Sequence, residues 1–537
     1  MTTAKASIQP YLNQAYLLGL MMMAAGLTLS PFLMGMSQFW LVIVWVVDGF
    51  YSKSFNDKLS RFWHNKAAVL LVAFYLMHVI GLLYTSDFQY ALKDLRVKLP
   101  ILVLPIVMTG MPPLDRKRFD LLMNVYVLSV FVATWFSFAA YVRHDYEDIR
   151  EISRFISNIR FCLNIVFCMA IIGYYLVTRK APIWSKAIQI LLFLWFGYQI
   201  FIFESLSGYV VLAVVVVVSA VYAFLQWKKG RGWRIAVAVS AVAVLLAGSI
   251  FLAHKIRPLL KVESVDFSTL DQQTAQGNPY WHDTIYNPVE DGKFVGLYYC
   301  KQEMQEAWPQ RSTLPFDGTT QNGENLEATL VRYLTSKDLR KDAEGVAALS
   351  DEDIHNIEQG IANYNNWKHP GMRARLSMTL FEYNMYRRFN NPNGGSLSQR
   401  IEYTKAAFHI IRQHPLFGVG TGDVPQAFSK TYDEIQSPLS DEFRFRAHNQ
   451  YLSIAIAFGV VGLVLFLVML FYPCFAKKQR GYLYVAFLCI MLLSMFPEDT
   501  LETQAGASLF AFFECVLLFA APDSDEVTAE TGSCRRS

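Results

Sequence analysis

Residues 449–472 read NQYLSIAIAFGVVGLVLFLVMLFY, without one charged side chain. A helix rises about 1.5 Å per residue, so about 20 such residues cross a hydrocarbon core of roughly 30 Å. The stretch reads as a membrane span, and the same ruler finds others across the 537 residues. They are expected near 11–30, 35–50, 67–84, 97–111, 121–142, 160–178, 187–203, 208–227, 233–253, 482–497 and 505–521, twelve in all. Those at 35–50 and 482–497 are short. Composition agrees, with 53% hydrophobic and 17% charged residues, where a soluble domain carries about 25% charge. The expected fold class is an all-α polytopic membrane protein of about twelve transmembrane helices.

Positive charge orients the spans. With the N-terminus in the cytoplasm, the cytoplasmic segments hold 20 Lys/Arg against 7 in the short loops opposite. The cytoplasmic set includes Lys53, Lys58, Arg61 and Lys66, then Arg116 to Arg118, Arg179, Lys180, Lys186, and Lys228 to Arg234. Lys5, Lys477, Lys478, Arg480, Arg535 and Arg536 complete it. That is the positive-inside pattern, with both termini inside. Met1–Gln14 lacks a basic cluster and no A-x-A site follows, so the first span is not read as a cleavable signal. The expected division is a membrane domain over 1–253, a large non-cytoplasmic loop over 254–447, a membrane domain over 448–521 and a cytoplasmic tail over 522–537.

The loop carries 21 Lys/Arg and 25 Asp/Glu, which argues against nucleic-acid binding. Cys300 is its only cysteine, so no disulfide closes within it. Residues 262–325 read as irregular, with turns at Asn278-Pro279, Asn287-Pro288 and Asp317-Gly318. Three helices are expected to follow. The first opens on the capping-box pattern Ser350-Asp351-Glu352-Asp353 and runs to about Trp367. The second spans 372–389, and the third spans 398–413 with Ser398 as N-cap. Then comes His414-Pro415-Leu416-Phe417-Gly418-Val419-Gly420-Thr421-Gly422-Asp423. Gly418, Gly420 and Gly422 free the backbone for a tight turn or a close approach. No strand precedes them and no GKS/T follows, so a nucleotide loop is a weak reading.

Span ten opens with Ala447-His448-Asn449-Gln450, and nine residues after Asn449 come Gly459-Val460-Val461-Gly462. This His-Asn, nine residues, G-x-x-G pattern resembles the signature of the O-antigen ligases, a group of bacterial membrane enzymes that also takes in O-antigen polymerases and some protein O-oligosaccharyltransferases. The His414–Asp423 run looks like the family's segment ahead of it, and Arg400 stands where the family carries an arginine. Tyr84-Thr85-Ser86-Asp87 and Leu95 to Pro100 match more loosely. One departure is that the turn Glu204-Ser205-Leu206-Ser207-Gly208 holds no cation, where many relatives have one. Arg96, Arg373 or Arg375 is a candidate replacement.

The resemblance implies a GT-C-like layout in the bacterial inner membrane with the large loop periplasmic. It also implies transfer of a glycan from undecaprenyl diphosphate to an acceptor hydroxyl, with inversion and with neither metal nor cofactor. The expected acceptor is a sugar of the lipid A-core. A second lipid-linked glycan (a polymerase) or a protein hydroxyl is the alternative. The expected partners are thus the lipid-linked donor, the glycan acceptor and membrane lipid.

His448 is the catalytic candidate on the acceptor side, because imidazole accepts a proton near neutrality. It would act as base or only position the hydroxyl, and the competing reading makes it an interfacial residue capping the helix with Asn449. Arg400 is the diphosphate candidate, since guanidinium forks onto phosphate oxygens. With Ser398 as cap, Arg400 would stand in the first helical turn, where the dipole disfavours a cation and a bound anion would relieve it. Arg96 and Lys98 are placed at the lipid phosphate or as snorkelling side chains. Arg446, two residues before His448, could reach the same site. Asp423 would orient His448, serve as an alternative base, or belong to a turn. Glu514 lies inside the last span with no partner visible from sequence. A twelve-span transporter is the rival of another class, and no internal repeat supports it.

Overall fold

A computed structural model describes residues 2–143, 149–226, 256–476 and 481–522, together with 239, 242, 243, 246, 248–250, 253 and 254. Most of the expected span 233–253 lies outside the described residues, as do Lys228 to Arg234, Lys477 to Arg480 and the tail from 523. The chain forms two compact units. One comprises 1–241, 403–435 and 445–537, and the other comprises 242–402 and 436–444.

The first unit is a helical bundle. Among the described residues eight helices are long and apolar enough to cross a membrane: Ile8–Leu29, Pro31–Ser52, Lys66–Tyr84, Arg116–Arg143, Asn158–Thr178, Ile183–Ile202, Leu206–Phe224 and Gln450–Ala476. Each covers one expected span. The helix at 97–111 starts earlier than expected, at Phe88, and runs to Gly110. Asp87 caps it by accepting from the Tyr90 N–H at 2.9 Å. Tyr482–Ser494 and Gln504–Ala520 are shorter apolar helices. Between them the chain turns back through Met495–Thr503 instead of running on as a span, because Pro497, Glu498 and Asp499 interrupt the apolar run.

Local signals explain several of the helix starts. Ser30 accepts from the Leu33 N–H at 3.2 Å with Pro31 at the first helical position, and Asn65 caps Lys66–Ile80. Glu514 does have a partner, since the Tyr484 hydroxyl donates to it at 3.0 Å.

The second unit has its own apolar core, with Met304, Trp308, Leu326, Leu330, Tyr333, Leu334, Ile354 and Ile357 buried together. The expectation of an irregular 262–325 holds only in part. Val289–Glu290 pairs with Lys293–Phe294 as a two-residue hairpin, and Lys301–Ala307 is helical. Leu326–Ser336, capped by Asn325, is a core helix that the sequence reading passed over. Its Leu326, Leu330, Tyr333 and Leu334 follow the i, i+4, i+7, i+8 spacing of one buried face.

The capping box at Ser350 and Asp353 forms as read. Its helix stops at Glu358, however, and does not reach Trp367. Gly360 takes a φ of 87°, and a separate turn, Tyr364–Lys368, follows. Met372–Phe389 matches expectation. The next helix begins at Ser396, so Ser398 is not its cap. Ser398 is buried in the first turn, facing the Glu382 carbonyl at 3.5 Å.

Candidate functional site

The glycine-rich run and the G-x-x-G are two halves of one device within the first unit. Inside Gln450–Ala476 the backbone breaks at Gly459, with φ 63° and ψ −159°, a region essentially reserved for glycine. In an unbroken helix the N–H groups of Val460 and Val461 would bond the carbonyls of Ile456 and Ala457. Here Val460 donates to the Pro415 carbonyl at 2.8 Å and Val461 to that of Leu416 at 3.3 Å. The two freed carbonyls accept from Val419 and Gly420, each at 2.9 Å. All four groups are thus repaired by the 415–420 segment. A break inside a helix long and apolar enough to cross a membrane demands such repair, because a hydrocarbon core supplies no water.

The fit leaves no room for side chains. A Cβ on Gly418 would sit 2.4 Å from the Ala457 carbonyl carbon, and one on Gly459 would sit 2.3 Å from that of Leu416. Gly422 passes 2.1 Å, by the same measure, from the Asp87 carbonyl oxygen, and Gly462 lies against Phe458 and Met77.

The seam continues into the Tyr84–Asp87 segment. The Tyr84 hydroxyl donates to the Phe417 carbonyl at 3.0 Å, and Gly422 N–H donates to Thr85 Oγ1 at 2.8 Å. Asp423 does not reach His448. It accepts from the N–H groups of Ser86 and Asp87 at 2.8 and 2.9 Å, and from the hydroxyls of Thr85 and Ser86 at 3.0 Å. Burial works against its charge, but these bonds outweigh it and hold the carboxyl below the ordinary carboxylate range. Of the readings open for Asp423, these bonds favour the structural one, as a clamp on the 85–87 turn.

Beside this seam lies a charged cluster. Lys98 is buried and paired with Asp94 and with Glu502, the latter at 2.8 Å. Arg446 donates to the Tyr90 hydroxyl at 2.8 Å and approaches Glu502 at 3.4 Å. Gln450 joins them by donating to Glu502 at 3.1 Å and accepting from Leu501 N–H at 2.6 Å. Ser453 donates to Asp499 at 2.7 Å. The cluster lines a small cavity with His78, Thr421 and Phe458. In that lining two cations, Lys98 and Arg446, thus face two carboxylates, Asp94 and Glu502. Arg96, two residues before Lys98 and so about 200° around the helix, is exposed and outside the cluster.

Asp94, Glu502 and Tyr90 were passed over in the sequence, although the i, i+4 spacing of Asp94 and Lys98 was a visible signal. So was Arg160, which opens Asn158–Thr178. It bonds Ser157 Oγ at 3.3 Å and stands 3.9 Å from Glu498, while its buried Nε has no hydrogen-bond partner among the described residues.

Asn449 is a helix cap. Its Oδ1 accepts from Leu452 N–H at 3.0 Å and its Nδ2 donates to the Phe496 carbonyl at 3.0 Å. His448 stands apart. Its backbone is left-handed, with φ 45°, which is uncommon for a residue with a side chain. The ring is half-buried between Tyr403 and Phe445, with centroids 5.6 and 6.3 Å away. Among the described residues nothing hydrogen-bonds it. Arg400 belongs to the second unit, as the fifth residue of Ser396–Gln413. It therefore lies past the first turn, and the expected conflict with the helix dipole does not arise. Arg373 and Arg375 open Met372–Phe389 in the same unit.

Residues 371–467 match the O-antigen ligase family. The resemblance read from residues 400–462 falls wholly inside the match, which takes in Arg400, the glycine seam, Arg446, His448 and the break at Gly459. The O-antigen ligase family also covers related polymerases. Eight helices long and apolar enough to cross a membrane accompany the match, and its last residues lie in one of them, Gln450–Ala476. No curated protein matches the chain.

Proposed function

We propose that this chain transfers a glycan from undecaprenyl diphosphate to a hydroxyl of the lipid A-core at the periplasmic face of the inner membrane. In this reading the chain has twelve spans, both termini are cytoplasmic and residues 254–447 are periplasmic. The acceptor oxygen attacks the anomeric carbon as the bond to the diphosphate oxygen breaks, with inversion. The electron pair departs with the diphosphate, and the acceptor proton goes to His448 or, if His448 only positions the hydroxyl, to solvent. Arg400 binds the leaving diphosphate as its charge grows, which is the type of stabilisation that contributes most to such steps. Arg446 and Arg160 are further cations for that work.

The observation that carries the reading is His448. Its neighbours in the motif are engaged in holding the backbone, whereas its ring, packed between Tyr403 and Phe445, makes no hydrogen bond among the described residues and its backbone is held in a costly conformation. Such outliers cluster at functional sites.

The test is a lipopolysaccharide gel from cells lacking the gene, complemented with wild type or His448→Ala. The proposal expects core without attached polymer in the deletion, with lipid-linked polymer accumulating, and no rescue by His448→Ala. Core bearing a single repeat would mean a polymerase, and an unchanged ladder would move the acceptor to protein. Full rescue by His448→Ala would overturn the mechanism.

A further inference from the structure

We infer that the first unit binds an anionic phospholipid at the end of the bundle opposite the charged cluster. Helix Gln450–Ala476 starts at the cluster, where Gln450 bonds Glu502, and ends at Ala476 on the wall of a second cleft. Its 27 residues, interrupted at Gly459, separate the two by at most roughly 40 Å, comparable with the depth of a bilayer and its interfaces.

This second cleft encloses about 540 Å³. The side chains in its lining that carry a full charge near neutrality are all of one sign: Arg61, Lys66 and, when protonated, His64. The rest of the wall is chiefly apolar, with Tyr472, Leu518 and Phe519 on helices that meet there. At the opposite end Lys98 and Arg446 are answered by Asp94 and Glu502. Here neither Arg61 nor Lys66 has an ion pair among the described residues. Arg61 makes only a long bond, at 3.4 Å, to the Asp57 carbonyl, and the His64 ring is held at 2.7 Å by the Ser60 carbonyl.

The element that presents these cations has the character of an interfacial helix. Phe55–His64 buries Lys58 and Phe62 while leaving Leu59 and Trp63 half or more exposed. A short helix with basic and aromatic residues on its outer side lies in the headgroup layer. Cations at headgroup depth beside an apolar cleft fit a lipid that carries a phosphate and an acyl chain. The unbalanced positive charge selects a lipid of net negative charge over a zwitterionic one. None of this depends on the proposed transfer reaction.

The experiment uses the full chain in nanodiscs made of phosphatidylethanolamine and phosphatidylglycerol, with the retained lipids counted by native mass spectrometry. The wild type should retain phosphatidylglycerol in preference to phosphatidylethanolamine, and millimolar inorganic phosphate should not displace it. Arg61→Gln with Lys66→Gln should weaken retention by about fivefold to twenty-five-fold, from the attraction each basic residue supplies near a surface. Lys180→Gln, an exposed cation outside the cleft lining, should have no effect. Ala476→Trp, which keeps the charges but fills the cleft, should also lose the lipid. Unchanged retention in the double variant and in Ala476→Trp would overturn the inference. So would an equal loss in Lys180→Gln, which would mean general surface charge, or displacement by inorganic phosphate, which would mean an anion site only.

Discussion

The seam at 415–422 and the cluster around Glu502 adjoin one another but are built in opposite ways. The seam is neutral. Four backbone groups released by the break at Gly459 are taken up by a strand of loop that glycine alone lets approach. The cluster is charged, and it is held by side chains from Phe88–Gly110, from the residues ahead of Gln450 and from the 499–502 turn. Conspicuous signature residues thus mark where the helix is broken and repaired. Most of the ionisable side chains around that break are ones the signature does not display. His448 is the exception, as a signature residue that neither region uses.

Breaking the cluster should have the largest effect. Glu502→Leu leaves Arg446 without its carboxylate and Lys98 with Asp94 alone, and removing one partner from a buried ion pair costs about 3–5 kcal/mol. The check is a melting curve of the purified protein in detergent. Breaking the seam comes next. Gly459→Ala places a side chain in a glycine-only conformation and against the Leu416 carbonyl, for a loss of about 3 kcal/mol. Its melting curve should fall almost as far as that of Glu502→Leu, although no charge has changed.

A third prediction sharpens the contrast between charged and neutral burial. Lys98 is buried with two carboxylates, whereas Lys341 of the second unit is buried with its Nζ donating to the Leu297 carbonyl at 3.0 Å. Burial, aided by nearby Lys293, pushes the Lys341 ammonium down to about 8. The unfolded chain then holds this proton more tightly than the folded one between about pH 8 and its ordinary value of 10.5. The contribution to stability therefore rises with pH across that window, by up to about 3 kcal/mol. Lys341→Met should flatten the rise in chemical denaturation curves. The smallest effect is expected for Asn449→Ala, which removes a helix cap worth about 1 kcal/mol and lowers the melting temperature slightly.

Legibility in the sequence followed the physics of each signal. The eight apolar helices were readable because hydrocarbon thickness sets their length, and the capping box at Ser350 was readable because both its members lie within four residues. The repair at Gly459 was not, since its two strands are some 40 residues apart and nothing local says which carbonyls the run at 415–420 will meet. Glu502 was missed for a related reason. Its partners are Lys98, Arg446 and Gln450, and only the fold brings positions 98 and 502 together. For Asp423 the sequence leaves an orienting group, an alternative base and a turn residue all open, and only its hydrogen bonds to residues 85–87 decide for a structural role. The core helix Leu326–Ser336 was a different kind of miss, with an amphipathic face present in the sequence and obscured by the turn-rich residues before it.

The most direct measurement is glycan transfer by purified His448→Asn in a defined bilayer, with its melting temperature taken on the same sample. The expected result is a melting temperature close to wild type and a rate lower by about 10²–10⁴, the contribution of a positioned proton acceptor. A variant that melts normally and transfers at the wild-type rate would contradict it.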